Sequence, residues 1–215
     1  QGHMSVQALF RFPPEAPCGS HGGRSSPEER EGGGRAAEAG PGHRAALREP
    51  VTSLQLIDVV EARLAATEPL VHATPITCLE RAREAAAKLV HPAEPPAGYL
   101  WGLPVLMKDV FSVAGVRFTE GSEFFKDRVP KRSDAVVQQL EAMGAVVVGK
   151  TNMPEFGAGS HTFNSVFPTT VSPYDTRTSA GGSSGGSAAA LAACQCWLAS
   201  GSDLGGSLRT SRSSP

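Results

Sequence analysis

Hydrophobic positions between residues 51 and 209 repeat with two different periods. Leu54, Ile57, Val60 and Leu64 recur at helical spacing behind Thr52-x-x-Gln55, a capping-box pattern that predicts a helix start. A second helical face runs through Ala82, Ala85, Ala86 and Leu89. Its predicted start is Thr77-x-x-Glu80, and Pro92, Pro95 and Pro96 lie beyond its end. Val136, Val137, Leu140 and Met143 make a third, with Ser133 or Asp134 as its cap and Gly144 as its stop. Two short runs, one after the second helix and one after the third, have no polar member. One is Leu103 to Met107, entered from Gly102 and closed by Lys108-Asp109; the other is Ala145 to Val148. Wholly apolar runs of this length predict strands buried on both faces. Helices alternating with such strands predict an α/β fold with a parallel or mixed sheet. A small-residue helix is predicted over Ala188 to Cys194.

Composition divides the chain. Of 215 residues, 24 are glycine and 17 proline. Nine of the glycines and six of the prolines fall in residues 1–50, beside six arginines, six glutamates and little to bury. That stretch is read as a disordered leader, and residues 51–215 as the folded part. Gln1-Gly2-His3-Met4 lacks an initiator and is set aside from the fold reading. Glutamate throughout the leader, with no apolar segment, supports neither a transit peptide nor a signal peptide. A net charge of −1 gives no electrostatic argument for nucleic acid or an acidic membrane. No run reaches the ~18 apolar residues of a membrane span. Four cysteines in a chain this long do not make a disulfide scaffold. Cys194-Gln195-Cys196 has one residue between its thiols and no second pair, so zinc is not predicted. Both are read as buried small residues in a reducing, cytoplasmic setting.

Three segments carry candidate chemistry. Gly144-Ala-Val-Val-Val-Gly149-Lys150-Thr151 satisfies the Walker A pattern letter for letter. Its context argues against a phosphate loop: a helix precedes it, three valines fill its middle, and Pro154 interrupts any helix after Thr151. The other two are Gly181-Gly182-Ser183-Ser184-Gly185-Gly186-Ser187 and Gly201-Ser202-Asp203-Leu204-Gly205-Gly206-Ser207-Leu208-Arg209. Glycine lets backbone amides approach a ligand closely, and serine adds hydroxyls, a pairing suited to anion recognition or acyl transfer. Ser207 follows two glycines, so amides of residues 204–207 can converge on one point. A Ser/His/Asp arrangement finds no support: three of six histidines lie in the leader, and His161 reads as a surface residue. The other base available is a neutral lysine. Burial disfavours the ammonium form, and Lys108 directly follows an apolar run. Taken alone, a lysine there is more often an ordinary strand end.

Together these motifs resemble the amidase signature family over residues 51 to about 209. Gly102-Leu103-Pro104-Val105-Leu106-Met107-Lys108-Asp109 is similar to the family's lysine motif. Gly149-Lys150-Thr151-Asn152-Met153-Pro154-Glu155-Phe156 is similar to its GKTN strand and turn. The two Gly/Ser segments together resemble the signature itself, with 24 residues from Ser183 to Ser207. The resemblance implies an amidase-signature α/β fold, a mixed central sheet flanked by helices, of which this chain is the N-terminal half. It implies a triad of Ser207 as nucleophile, Ser183 as bridging serine beside a cis peptide bond, and Lys108 as base. Backbone amides of Leu204, Gly205, Gly206 and Ser207 would form the oxyanion hole. Ser184, Asp203 and Arg209 would be supporting residues that fix the loops. The implied reaction is hydrolysis of a small-molecule carboxylic amide through an acyl-enzyme, with no metal or organic cofactor. The loop Glu155 to Asn164 resembles free-standing amidases more than the A subunit of glutamyl-tRNA amidotransferase, which stays the alternative. Fatty-acid amide hydrolases, which often carry a membrane helix or apolar cap, are a third. The expected partner is a second copy, or the other subunits under the amidotransferase reading. The chain departs from the family after Arg209, where Ser211 holds the usual proline position and the remaining half of the fold does not follow. A truncated chain, by frameshift or splicing, poorly stable and inactive alone, is the expectation from that departure.

Overall fold

The computed structural model describes residues 8–10, by their backbone, and residues 51–212. A five-stranded mixed sheet forms the centre. Its strands are β1 (Ala8–Phe10), β2 (Ile76–Thr77), β3 (Pro104–Lys108), β4 (Val146–Thr151) and β5 (Leu198–Ser200), in the spatial order β1-β5-β3-β4-β2. β3 runs parallel to both β4 and β5, and the two edge strands pair antiparallel. Every residue of β3 and β4 is buried. This is why their sequence is a continuous apolar run rather than an alternation. The side chains still alternate in space. Leu106, Val146, Val148 and Ala199 pack with Ile57, Val60 and Leu64 on one face, while Val105, Met107, Val147 and Leu198 pack with Phe111 and Val137 on the other.

The register between β3 and β4 slips once. Val105 lies opposite Val147, but Leu106 lies opposite Gly149, so β4 carries one extra residue. A Cβ at Gly149 would stand 2.7 Å from the Ile76 carbonyl oxygen and 3.2 Å from Leu106 Cδ2, which is why glycine occupies the bulge. Beyond it, Met107 faces Lys150 and Lys108 faces Thr151.

Five α-helices flank the sheet: α1 (Ser53–Val71), α2 (Leu79–Lys88), α3 (Ala135–Ala142), α4 (Gly185–Ala192) and the short α5 (Arg209–Arg212). The capping box at Thr52 and Gln55 forms as its spacing predicts. Other expectations are corrected. Thr77 does not start α2. It lies in β2, drawn into the ladder with Gly149, and Cys78 is the N-cap without a side-chain bond. Asp134 is the N-cap of α3, as one of the two expected residues, but makes no side-chain capping bond: Asp134 Oδ2 accepts from Ser112 N at 2.7 Å and Ser133 Oγ from Ala114 N at 2.9 Å. Both are spent on the 112–114 loop. The small-residue helix begins at Gly185 rather than Ala188. Its glycines allow a close approach, since a Cβ on Gly186 would meet the Asn152 carbonyl oxygen at 2.3 Å. Cys194 is exposed rather than buried, because its left-handed φ of 57° follows the end of α4; Cys196 is buried as expected. Of the stretch read as a leader, residues 8–10 pair with β5, and the remainder lies outside the described residues.

Candidate active site

The three parallel strands end together. Lys108 closes β3, Thr151 closes β4 and Ser200 closes β5, and the loop before α4 crosses above them. In open α/β sheets this carboxyl end of the strands is where ligands bind. A chain of hydroxyls fastens it. Lys108 N donates to Ser200 Oγ at 2.8 Å, Ser187 Oγ donates to the Ser200 carbonyl at 2.7 Å, and Thr151 Oγ1 and Ser187 Oγ are 2.6 Å apart.

Lys108 is fully buried, with 0% of its surface exposed. No carboxylate of the described residues touches it. Its Nζ lies 2.7 Å from Ser183 Oγ, 2.9 Å from Ser202 Oγ and 3.0 Å from Ser184 Oγ. Burial pushes its pKa down to about 8, and nearby Asp203 pulls in the other direction. The peptide bond between Gly182 and Ser183 is cis. Ser183 and Ser184 are both buried, and Ser184 Oγ donates to the Ser202 carbonyl at 3.1 Å. The structure therefore brings Lys108, Ser183 and Ser184 together and adds Ser202, which sequence reasoning missed. Ser202 sits in a segment rich in glycine and serine, where no pattern separates one hydroxyl from the next.

Ser207 lies in the turn before α5, half-buried. Its carbonyl accepts from Ser184 N at 3.3 Å and from Ser211 Oγ at 3.0 Å. No hydrogen bond joins its hydroxyl to Ser183 among the described residues. Asp203 organises the turn: Oδ1 accepts from Gly206 N at 2.6 Å, and Oδ2 accepts from Leu208 N and from Arg209 Nε. The Gly206 amide foremost, with Arg209, holds the Asp203 carboxyl below the usual range. Of the four amides expected as oxyanion donors, Gly206 is thus engaged by Asp203. Leu204, Gly205 and Ser207 donate to no described residue. Arg209 is exposed; its side chain pairs with Asp203 and its backbone N donates to the Gly206 carbonyl at 2.8 Å.

Sequence reasoning also passed over a second buried lysine. Lys150, with 0% exposure, ion-pairs with Asp109 and lies 4.2 Å from the Phe118 ring centroid. Burial lowers its pKa, against the raising effect of Asp109. The signal was available: a lysine inside a run of buried valines needs a partner. The same strand disposes of the phosphate-loop pattern, because the amides of residues 146–151 belong to a ladder with β2 and β3. His161 is exposed, 3.2 Å from Ser179 Oγ. Among the described residues no group of three or more His, Cys, Asp or Glu could hold a metal ion, and no helix is long and apolar enough to cross a membrane.

The amidase family's sequence profile matches residues 55–210. The chain is 48% identical, over 68% of its length, to the A subunit of the glutamyl-tRNA(Gln) amidotransferase of Oleidesulfovibrio alaskensis, covering 30% of that protein. Its fold is similar to 6-aminohexanoate cyclic dimer hydrolase (TM-score 0.66, 31% identity, 73% of this chain and 32% of that one). A bacterial aryl acylamidase of the amidase signature family gives a TM-score of 0.67 at 28% identity, over 75% of this chain and 34% of that one. The chain spans about a third of the length of the relatives it matches. With the profile covering most of the chain and these folds alike, the chain belongs to the amidase family.

Proposed function

We propose that this chain carries the acyl-transfer centre of an enzyme that hydrolyses small-molecule carboxylic amides. The observation that carries the reading is Lys108, buried without a carboxylate and held by serine hydroxyls 2.7–3.0 Å away. Such a lysine is a base rather than a structural cation. In the proposed sequence neutral Lys108 takes the Ser183 proton as Ser183 takes that of Ser207. The Ser207 oxygen attacks the amide carbonyl, and the free amides of Leu204, Gly205 and Ser207 receive the oxyanion. The proton then passes to the leaving nitrogen, the C–N bond breaks, and water releases the acid from Ser207. The relay requires a hydrogen bond from the Ser207 hydroxyl to Ser183. Asp203, Arg209 and Ser184 hold the turn and the loop in place. A cytoplasmic location accompanies the reading, since the three described cysteines are free.

A fluorophosphonate probe tests it directly. Labelling at Ser207, lost in Ser207→Ala, supports it against the expectation of an inactive chain; a folded wild-type chain that takes no label removes the reading. The alternative is glutaminase action within an amidotransferase, favoured by curated relatives that are amidotransferase A subunits at 48% and 43% identity. Release of ammonia from glutamine, with tRNA-dependent partner subunits co-purifying, would select it over a free-standing amidase that acts on other amides as a monomer or homodimer.

A further inference from the structure

Hydrogen-bond counting around Lys108 assigns a task to a third serine. A neutral amine has two N–H donors and one lone pair. Three hydroxyls surround Lys108 Nζ, so two must accept from it and one must donate to it. The single proton of Ser184 goes to the Ser202 carbonyl, so toward Lys108 its oxygen can only accept. The remaining choice is between Ser183 and Ser202. Both contacts, 2.7 Å to Ser183 and 2.9 Å to Ser202, fit an N–H···O bond, so the choice rests on the relay, in which Ser183 must give its proton to Lys108. The backbone of Ser202 bonds Ser184 Oγ, while the Ser202 hydroxyl, like that of Ser183, makes no hydrogen bond other than the one to Lys108 among the described residues.

We propose that Ser202 is a positioning residue for Lys108: its oxygen takes one N–H of the neutral amine, so that the lone pair faces Ser183. The inference rests on the acyl-transfer reading, in which the lone pair must receive the Ser183 proton. The Ser202 hydroxyl contacts the base, and neither Ser183 nor Ser207 among the described residues. It acts through the orientation of the base, as the third side of a hydroxyl cradle closed by Ser184. No carboxylate of the described residues contacts the amine to supply this orientation. Asp203 is drawn to Gly206 N and Arg209, and the Asp109 carboxylate, on the residue after Lys108, is turned to Lys150 and Thr119.

The test compares the full wild-type chain with Ser202→Ala and Ser202→Thr. Two readouts are taken across pH: the rate of fluorophosphonate labelling at Ser207, and the titration of the Lys108 amine by nitrogen NMR, its signal assigned by loss in Lys108→Met. Ser202→Ala should label about 10-fold more slowly, because a misdirected base loses part of general-base catalysis. The Lys108 titration should also move to lower pH, since the ammonium loses more from a missing acceptor than the amine does. Ser202→Thr, which keeps the hydroxyl, should restore both. If Ser202→Ala fails to fold, Ser202→Cys, close in size and a poor acceptor, should change both readouts in the same direction. Unchanged labelling with an unchanged Lys108 titration overturns the proposal. A wild-type chain that takes no label overturns the acyl-transfer reading instead, and the titration alone then decides whether Ser202 holds the amine.

Discussion

Two lysines end up fully buried on neighbouring strands, Lys108 on β3 and Lys150 on β4, and their surroundings differ in one respect. Lys150 touches the carboxylate of Asp109 and a Phe118 ring; Lys108 touches only hydroxyls. Burial works against the charge of both. Where a carboxylate answers it, the ammonium has a counter-ion and the pair becomes a structural tie. Where only neutral oxygens answer it, the amine form is accessible near pH 8 and is available to take a proton. Burial alone does not identify a catalytic lysine. Under the proposed function, contact with hydroxyls in place of a carboxylate is what sets Lys108 apart from Lys150.

Replacing each lysine with methionine is the strongest way to break this contrast. Lys108→Met should slow labelling of Ser207 by about 100-fold or more. Its thermal stability should hold or rise, because no charge remains to be desolvated. Lys150→Met strands the buried Asp109 carboxylate and should cost about 3–5 kcal/mol in denaturant unfolding. Equal stability losses in the two variants would sink the comparison. In the wild-type chain, labelling should rise with pH through about 8 as Lys108 loses its proton. The stability sign is the same. The unfolded lysine keeps its proton up to about 10.5, so between these values the unfolded state binds more protons and folding strengthens as pH rises. A flat labelling profile across that window would remove Lys108 as the base. The smallest effect concerns the tie alone. Thr119→Val removes the hydroxyl that donates to Asp109 and should cost about 1 kcal/mol while leaving labelling unchanged.

The centre of the fold was legible in the sequence because it depends on local pattern. The apolar runs at 103–107 and 145–148 mark β3 and β4, and the Thr52 capping box marks the start of α1. The features that escaped depend on distant partners. β2 is two residues long and exists through its pairing with β4, so Thr77 read as a helix cap. Gly185 and Gly186 read as loop, since glycine weakens a helix in isolation; close packing against Thr162 and Asn152 reverses that preference. For the candidate site, the neighbourhood of Lys108, Ser183 and Ser184 was legible through family motifs. The cradle role of Ser202 was not, because it depends on one 2.9 Å contact across 94 residues of chain.

The slip in register between β3 and β4 has a consequence for the two lysines. Residues opposite each other on parallel strands project to the same side of the sheet. Without the extra residue of β4, the pairing that begins at Val105 and Val147 would run on to set Lys108 opposite Lys150. The two amines would then share one side, each raising the energy of the other's charge. The inserted residue turns Lys150 toward Asp109 and Phe118, and leaves Lys108 facing the serines. A single residue of slack in one strand thus acts as an insulator between two protonation equilibria that the linear sequence would have coupled.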